Sequence, residues 1–91
     1  MPTIRYTKQF KKDFKRSKRR GKDFDQLKRI TEILANDEAL PENCRDHLLV
    51  GKFTGTRECH LDPDWLLIYA YNEPDELILI RLGSHADLFQ K

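Results

Sequence analysis

The spacing of hydrophobic residues changes near the middle of the chain. Before Gly51, apolar residues recur every three or four positions, which is typical of helices that bury one face. After Gly51 they alternate or form nearly continuous runs, which is typical of strands. This change predicts an α+β domain in which two N-terminal helices pack on one face of a small antiparallel sheet. The predicted order is strand, helix, helix and three strands, followed by a short C-terminal turn.

The first half of the chain supplies one strand and both helices. Residues 3–6 alternate and are short enough for an edge strand, after which Thr7 is suited to cap a helix that ends at Gly21. Residues 23–36 carry apolar side chains on one helical face and predict the second helix. Residues 37–51 contain a proline and an asparagine and are predicted to form a long connection.

The second half supplies three strands, predicted over residues 52–60, 65–71 and 76–82. Turn-forming residues at 62–64 and 72–75 separate them, so the simplest topology is an antiparallel meander. Strands that run up, down and up place the end of the first, the start of the second and the end of the third at one edge of the sheet.

Composition favours one soluble domain over residues 1–91, since 91 residues with 38% hydrophobic content can build a single core. No run of about 18 apolar residues could cross a bilayer, and the N-terminal region is too charged for a secretory signal. We therefore expect a cytoplasmic protein that does not bind membranes. Cys44 and Cys59 lack a CxxC spacing, so reduced thiols without a chemical role are expected.

Charge is distributed unevenly along the chain. Residues 1–30 carry twelve Lys or Arg against three Asp, whereas residues 31–91 carry five against twelve acidic residues. The basic half would attract a polyanion such as RNA or an acidic protein segment. The residues of this half that we assign to RNA binding are Lys11, Lys12 and Lys15. A solvated helix face explains the same charges equally well.

The strand argument gathers titratable residues at one edge of the sheet, because His60, Asp64 and His85 follow or precede the three converging strand ends. Three further residues lie near this edge: Arg57, Glu58 and Arg81. Of these, Arg57 is assigned to RNA binding, together with the aromatic residues Trp65 and Phe89. Imidazoles exchange protons near neutral pH, and guanidinium groups stabilise charge that develops on phosphate. These groups are the ingredients for cutting a phosphodiester, with a base that deprotonates a ribose 2′-hydroxyl and an acid that protonates the leaving oxygen.

Several of these residues also have purely structural interpretations. Trp65 opens an apolar strand and fits the core better than a platform for a base, whereas Phe89 could equally staple the C-terminal tail or stack on a nucleobase. Arg81 interrupts a buried strand and needs a partner, which could be Glu58. Zinc could bind the histidines and Asp64, but an HExxH-type spacing is missing, so we predict no metal.

Three ordered sequence blocks carry a resemblance to a known family. Residues 46–52 contain Asp-His, residues 57–69 contain Arg-Glu-Cys-His followed by Pro-Asp-Trp, and residues 81–89 contain Gly-Ser-His followed by Leu-Phe. With the lysine-rich N-terminal helix, these blocks make nearly the whole chain similar to the YafQ toxins of the RelE/ParE superfamily. The three blocks together and in this order are specific, whereas any one alone would be weak evidence.

The resemblance implies the toxin of a type II toxin–antitoxin pair with a RelE-like fold. Such a toxin is an endoribonuclease, or mRNA interferase, that cleaves mRNA on the translating ribosome, and no cofactor is implied. Its partners would be a cognate antitoxin of the DinJ or RelB type, mRNA and the ribosome, with operator DNA reached through the antitoxin complex. The resemblance assigns catalysis to His47, His60, Asp64 and His85, matches Glu58 and Arg81 to positions used in close relatives, and adds Trp65 and Phe89 as contributors.

Two alternatives keep the same scaffold without the chemistry. ParE-like members of the superfamily inhibit DNA gyrase, and a non-catalytic nucleic-acid-binding module would use only the basic helices. The histidines favour the nuclease, since neither alternative needs acid–base groups that converge at one edge.

Overall fold

The computed structural model describes residues 3–72 and 75–89. Within them the elements follow in this order: β1 (Thr3–Tyr6), α1 (Lys8–Arg19), α2 (Phe24–Ala35), β2 (His47–Leu48), β3 (Arg57–Asp62), β4 (Trp65–Asn72), β5 (Glu76–Gly83) and α3 (His85–Phe89). The predicted edge strand, both predicted helices and the three later strands are present. The predicted C-terminal turn is a short helix.

The strands form one five-stranded sheet in the order β1-β5-β4-β3-β2. β3, β4 and β5 make the predicted antiparallel meander. β2 pairs with the outer edge of β3, also in the antiparallel direction. The sheet differs from the predicted antiparallel one at its other edge, where β1 pairs with β5 in parallel. Hydrophobic periodicity indicates which face a strand buries, but it does not indicate whether neighbouring strands run parallel or antiparallel. The parallel pairing of β1 with β5 could therefore not be predicted from the pattern. Glu73 and Pro74, in the predicted turn 72–75, lie outside the described residues.

Both helices begin at a side-chain cap, and the cap of α1 is the predicted one. The Thr7 hydroxyl accepts a hydrogen bond from the backbone N–H of Phe10 at 2.9 Å and donates one to the carbonyl of Ile80 at 2.7 Å, so the cap also fixes α1 against β5. In α2 the Asp23 carboxylate accepts from the backbone N–H of Asp25 at 3.0 Å. The apolar face of α2 is buried as predicted, through Leu27, Ile30 and Leu34.

The connection before β3 contains more structure than its sequence predicted. Single 3₁₀ turns at Glu42–Cys44 and Gly51–Phe53 flank β2, which is only two residues long. The first strand of the meander was predicted over residues 52–60, but β3 begins at Arg57 because Gly51 and Gly55 have positive φ and form turns before it. Cys44 and Cys59 are buried and free, and burial raises the pKa of both thiols.

Each face of the sheet has its own apolar cluster. The face under α1 and α2 buries alternate residues of the central strands, including Cys59, Leu61 and Leu67. The opposite face is covered by α3 and buries Leu66, Ile68 and Leu88, with Leu49, Phe53, Ile80 and Phe89 packed around them. We call these the helix face and the open face. Among the described residues, no helix has the length and apolar character needed to cross a membrane.

Candidate active site

β3 directs Glu58 and His60 toward the open face. Their neighbours Cys59 and Leu61 belong to the helix-face core, and side chains alternate along a strand. Glu58 lies opposite Ile68 and His60 lies opposite Leu66 on β4, and both of these residues belong to the open-face cluster. Strand alternation therefore presents the carboxylate and the imidazole on the same surface.

His47 reaches the same surface through β2. Its strand register places it opposite Glu58, with its Nε2 atom 3.6 Å from Oε1 of Glu58, while Nε2 of His60 lies 3.4 Å from the same oxygen. Nδ1 of His47 contacts the carbonyl oxygen of Arg45 at 2.6 Å and must donate there. Glu58 is 4% exposed, so a buried carboxylate bridges two imidazoles. A two-residue strand has no recognisable period, and for this reason only the family resemblance could include His47.

Asp64 and His85 form a second imidazole–carboxylate pair. One carboxylate oxygen of Asp64, in the turn between β3 and β4, accepts from the backbone N–H of His85 at 2.9 Å and from its Nδ1 at 2.8 Å. These hydrogen bonds, the backbone one first, lower the pKa of Asp64. Because Nδ1 carries the proton toward Asp64, Nε2 of a neutral His85 keeps a free lone pair.

The two pairs lie side by side. The ring centroids of His60 and His85 are 5.7 Å apart and the rings are tilted by 58°. The predicted convergence of His60, Asp64 and His85 is therefore confirmed as geometry. Two imidazoles at this separation, each next to a carboxylate, can handle two protons on opposite sides of one reacting group.

Glu58, His60 and His85 could also hold a metal ion. One ligand atom from each residue lies within 4.8 Å of the others. Two imidazole nitrogens and one carboxylate oxygen are ligands that zinc and copper accept. The absence of a metal stays a prediction, because the donor set suits both proton transfer and metal binding.

Arg81 does not pair with Glu58, as the sequence suggested, but with Asp13 of α1. Its Nε and Nη2 atoms donate to the two oxygens of Asp13 at 2.8 and 3.2 Å. A bulge explains the change: Tyr69 pairs with Leu79 and Ile68 pairs with Arg81, which leaves Ile80 as an extra residue in β5. Asp13 is fully buried, and the half-buried guanidinium of Arg81 has its partner there. A role for Arg81 in catalysis stays a prediction.

Arg57 lies on the other side of β3 from the imidazoles. It is opposite Tyr69 of the helix-face core, and its Nε donates to Asp46 at 3.0 Å. The same Asp46 oxygen accepts from the Tyr69 hydroxyl at 2.6 Å, and the bond to Asp46 raises the pKa of Arg57. Consecutive strand residues face opposite ways, so Arg57 lies apart from Glu58 and the imidazoles, and its role in RNA binding stays a prediction.

The two aromatic residues assigned to RNA binding differ in exposure. Trp65 is 1% exposed in the helix-face core, where its indole N–H donates to the Ser17 hydroxyl at 3.3 Å and Phe24 packs edge-on. Trp65 is therefore a core residue, as its sequence position favoured, and its contribution to RNA binding stays a prediction. Phe89 is half-buried on the open face, edge-to-face with Phe53 at 5.8 Å, and its role stays a prediction.

The lysines assigned to RNA binding lie on the helix side of the molecule. Lys11, Lys12 and Lys15 are exposed on α1, and two of them line a groove of about 810 Å³ between β1, α1 and α2. The apolar lining of this groove includes Tyr6, Phe10, Phe14 and Phe24. The imidazoles occupy the opposite face of the sheet, so these lysines and the candidate active site form separate surfaces.

Sequence reasoning missed the polar residues that hold α3 in place. Arg16 of α1 and Arg20, the residue that caps the end of α1, both approach Asp87 of α3. Ser84 caps the start of α3. The Ser84-x-x-Asp87 spacing is a helix-start signal that could have revealed the cap. Fold and site therefore define a small α+β protein with two imidazole–carboxylate pairs side by side on one surface.

Comparison with known proteins identifies the family to which the chain belongs. A model described as the bacterial toxin of the type II toxin–antitoxin system, YafQ, matches residues 2–90. The chain is 41% identical over 88 residues to the mRNA interferase toxin YafQ of Escherichia coli strain K12, with 94% of both chains covered. The chain belongs to the YafQ family of type II toxin–antitoxin toxins.

Solved structures agree with this assignment. A copper-bound mutant toxin from Helicobacter pylori superposes with a TM-score of 0.92 at 42% identity, covering 98% of this chain and 100% of the other. A chain of the Escherichia coli DinJ–YafQ complex superposes with a TM-score of 0.88 at 39% identity, covering 98% and 99%. The predicted family and α+β fold are confirmed, and the mRNA-cleaving toxin is supported over the gyrase-inhibiting alternative.

Proposed function

We propose that this toxin is an endoribonuclease that cleaves mRNA by acid–base catalysis through the ribose 2′-hydroxyl, without a metal. The observation that carries the proposal is the pair of imidazoles, His60 and His85, with ring centroids 5.7 Å apart and each next to a carboxylate. The mRNA interferase activity named for the relative from Escherichia coli is the reaction that this pair can perform.

His85 is suited to act as the base. Asp64 holds its Nδ1–H at 2.8 Å, so Nε2 can take the proton of the 2′-hydroxyl. The freed 2′ oxygen attacks phosphorus, the bond from phosphorus to the 5′ oxygen breaks, and a 2′,3′-cyclic phosphate forms. His60, beside Glu58, then gives a proton to the departing 5′ oxygen. After one turnover the base carries a proton and the acid lacks one, and exchange with water restores both.

The remaining catalytic candidates act around this pair. Glu58 contacts both His47 and His60, so it fixes the position of His60, and His47 adds an imidazole that can stabilise negative charge on phosphate. Arg81 already donates two hydrogen bonds to Asp13. To contribute to phosphate binding it would have to bind Asp13 and the phosphate at the same time. Phe89, on the open face, is the aromatic residue suited to hold an unstacked base.

An RNA oligonucleotide with one deoxyribose immediately 5′ of the scissile bond tests the mechanism. We expect wild-type toxin to cleave the all-ribose strand in EDTA, to leave a 2′,3′-cyclic phosphate, and to spare the substituted bond. His85→Gln, checked for folding by circular dichroism, should lose about 10²–10⁴-fold in rate, the usual contribution of a positioned acid or base. Efficient cleavage next to the deoxyribose would overturn the mechanism.

A bound metal ion would interfere with this chemistry. A relative from Helicobacter pylori is described as copper-bound, and in this chain Glu58, His60 and His85 fit such an ion. An ion there would occupy the nitrogen lone pairs that proton transfer requires. We expect added Cu²⁺ to slow RNA cleavage and EDTA to restore it, whereas a rate that rises with Cu²⁺ would contradict metal-independent catalysis.

The ribosome is proposed as the place of cleavage. The basic half of the chain suits ribosomal RNA, and its exposed lysines lie apart from the imidazoles, so both could be engaged together. Mapping new mRNA 5′ ends in bacteria, with and without translation of a reporter, tests this. We expect cuts that require translation and that vanish with His85→Ala. Equal cutting of the untranslated reporter would show that cleavage does not require the ribosome.

The groove between β1, α1 and α2 is the proposed binding site for a cognate antitoxin. Exposed Tyr6 and Phe14 lie in its apolar lining, and Lys11 and Lys15 also line it. A segment with an apolar face and acidic flanks fits such a groove. The relative in the DinJ–YafQ complex is bound to an antitoxin, which makes this partner class the natural occupant. Antitoxin affinity should fall as salt rises, and a flat salt response would contradict the role of the lysines.

A further inference from the structure

One carboxylate, Asp87, attaches α3 to the distant helix α1. Nη1 and Nη2 of Arg20 donate to the two oxygens of Asp87 at 2.6 and 3.3 Å. Arg16 approaches the same carboxylate from the preceding turn of α1, with Nη2 at 3.7 Å. The end of α1 is thus tied to the short helix whose first residue is His85.

Asp87 also builds the start of α3. The backbone N–H of Ser84 donates to an Asp87 oxygen at 2.9 Å, and the backbone N–H of Asp87 donates to the Ser84 hydroxyl at 3.1 Å. This reciprocal pattern is a capping box, which satisfies two N–H groups that a helix start leaves unpaired. A five-residue helix is too short to be stable alone, so the direction of its first turn depends on such contacts.

The junction of β5, α1 and α3 has no spare room. A methyl group added at Gly83 would lie 2.9 Å from Cβ of Asp87 and 3.1 Å from Nη2 of Arg16. Arg20 is the main reason that the pKa of Asp87 is held well below its usual range, with smaller contributions from Ser84 and Arg16. The carboxylate is therefore ionised and packed at neutral pH, and any displacement of it moves the start of α3.

We propose that Arg20 is a positioning residue for catalysis: through Asp87 it fixes the first turn of α3 and so holds the His85 imidazole against Asp64 and beside His60. The inference rests on the proposed function, because His85 is the base in that reaction. Arg20 contacts no reacting group. Part of the basic run in α1 therefore serves the geometry of the site rather than the attraction of RNA.

The test compares Arg20→Ala with Arg19→Ala in the full-length toxin. Arg19 ends α1 and is exposed, and its side chain makes no polar contact within the described part of the chain. Arg19→Ala therefore removes the same charge as Arg20→Ala and leaves Asp87 untouched. Cleavage of an RNA oligonucleotide gives kcat and KM, and the imidazole signals of His85 in NMR spectra, assigned with His85→Gln, report its position without any reaction.

Arg20→Ala should lower kcat about 10- to 100-fold with KM unchanged and should shift the His85 signals, because a displacement of about 1 Å in a catalytic group has this effect. Arg20→Lys should recover part of the rate, and Arg19→Ala should match wild type. If Arg20→Ala does not fold, Asp87→Asn takes its place, since the amide oxygen can still cap Ser84 while the charge is lost.

Equal effects of the two alanine variants would overturn the proposal. A higher KM with unchanged kcat in Arg20→Ala would also overturn it and would make Arg20 an RNA contact. The positioning role would also be rejected if wild type cleaves RNA but the His85 signals do not move in Arg20→Ala. A wild-type toxin that fails to cleave RNA, with His85 signals that still move only in Arg20→Ala, would reject the nuclease and keep the positioning role.

Discussion

The hydrogen bonds of a single carboxylate set the proton arrangement of His85. Asp64 accepts from both the backbone and the ring of His85, so it fixes the ring's orientation and its tautomer. We expect Asp64→Asn to lower kcat about 10- to 1,000-fold with little change in KM, since an amide can stabilise the wrong tautomer. The matched control is Asp62→Asn in the same turn, where an amide oxygen can still accept from the backbone N–H of Asp64. Equal losses of kcat in both variants would show that Asp64 does not act by fixing the tautomer of His85.

Arg81 is expected to matter for stability as well as for any catalysis. Asp13 is fully buried and receives two hydrogen bonds from Arg81, so removing the guanidinium leaves a buried charge with fewer partners. Arg16 and the backbone N–H of Leu82 also donate to Asp13 and limit the cost. Arg81→Ala should reduce the free energy of unfolding by about 2 kcal/mol in urea titrations.

A double variant separates this structural cost from catalysis. Asp13→Asn removes the buried charge, so adding Arg81→Ala to it should cost clearly less than Arg81→Ala alone. Additive losses would show that the pair is not coupled. An activity loss that persists in the double variant, after correction for the folded fraction, would assign Arg81 a direct role in the reaction.

At the scale of elements, the start of α3 predicts a pH dependence. Asp87 has a native pKa below its unfolded value, so its contribution to stability is complete above about pH 4 and is lost as pH falls toward the native pKa. Asp87→Asn should therefore lower the unfolding free energy by about 1–3 kcal/mol at pH 7, and the difference from wild type should shrink below about pH 4. Thermal unfolding from pH 7 to pH 3 measures this, and a constant difference would contradict the assignment.

The elements themselves were predictable where local signals agree. Thr7 and Asp23 cap the helices that the apolar spacing predicts, and the turn residues around Asp64 allowed the meander and its converging ends to be inferred. The directions in which side chains point were harder to predict from the sequence. The bulge that sends Arg81 to Asp13 and the alternation that separates Arg57 from Glu58 depend on register, which a single sequence does not fix.

At the scale of the molecule, the sheet separates two surfaces with different chemistry. The imidazoles and their carboxylates lie on the open face, whereas the aromatic groove with its lysines lies between the helices and β1 on the other side. One face is suited to the reaction, and the other is suited to a protein partner.

This separation predicts that partner binding and cleavage can be removed one at a time. Phe14 is 37% exposed in the groove and distant in the fold from the open face, so Phe14→Ser should weaken antitoxin affinity about tenfold or more while kcat on RNA stays unchanged. His85→Gln should do the reverse. Titration calorimetry with the antitoxin and cleavage of a short RNA measure both properties on the same preparations. If Phe14→Ser instead slowed cleavage at full stability, or His85→Gln abolished antitoxin binding, the two faces would have to act as one site.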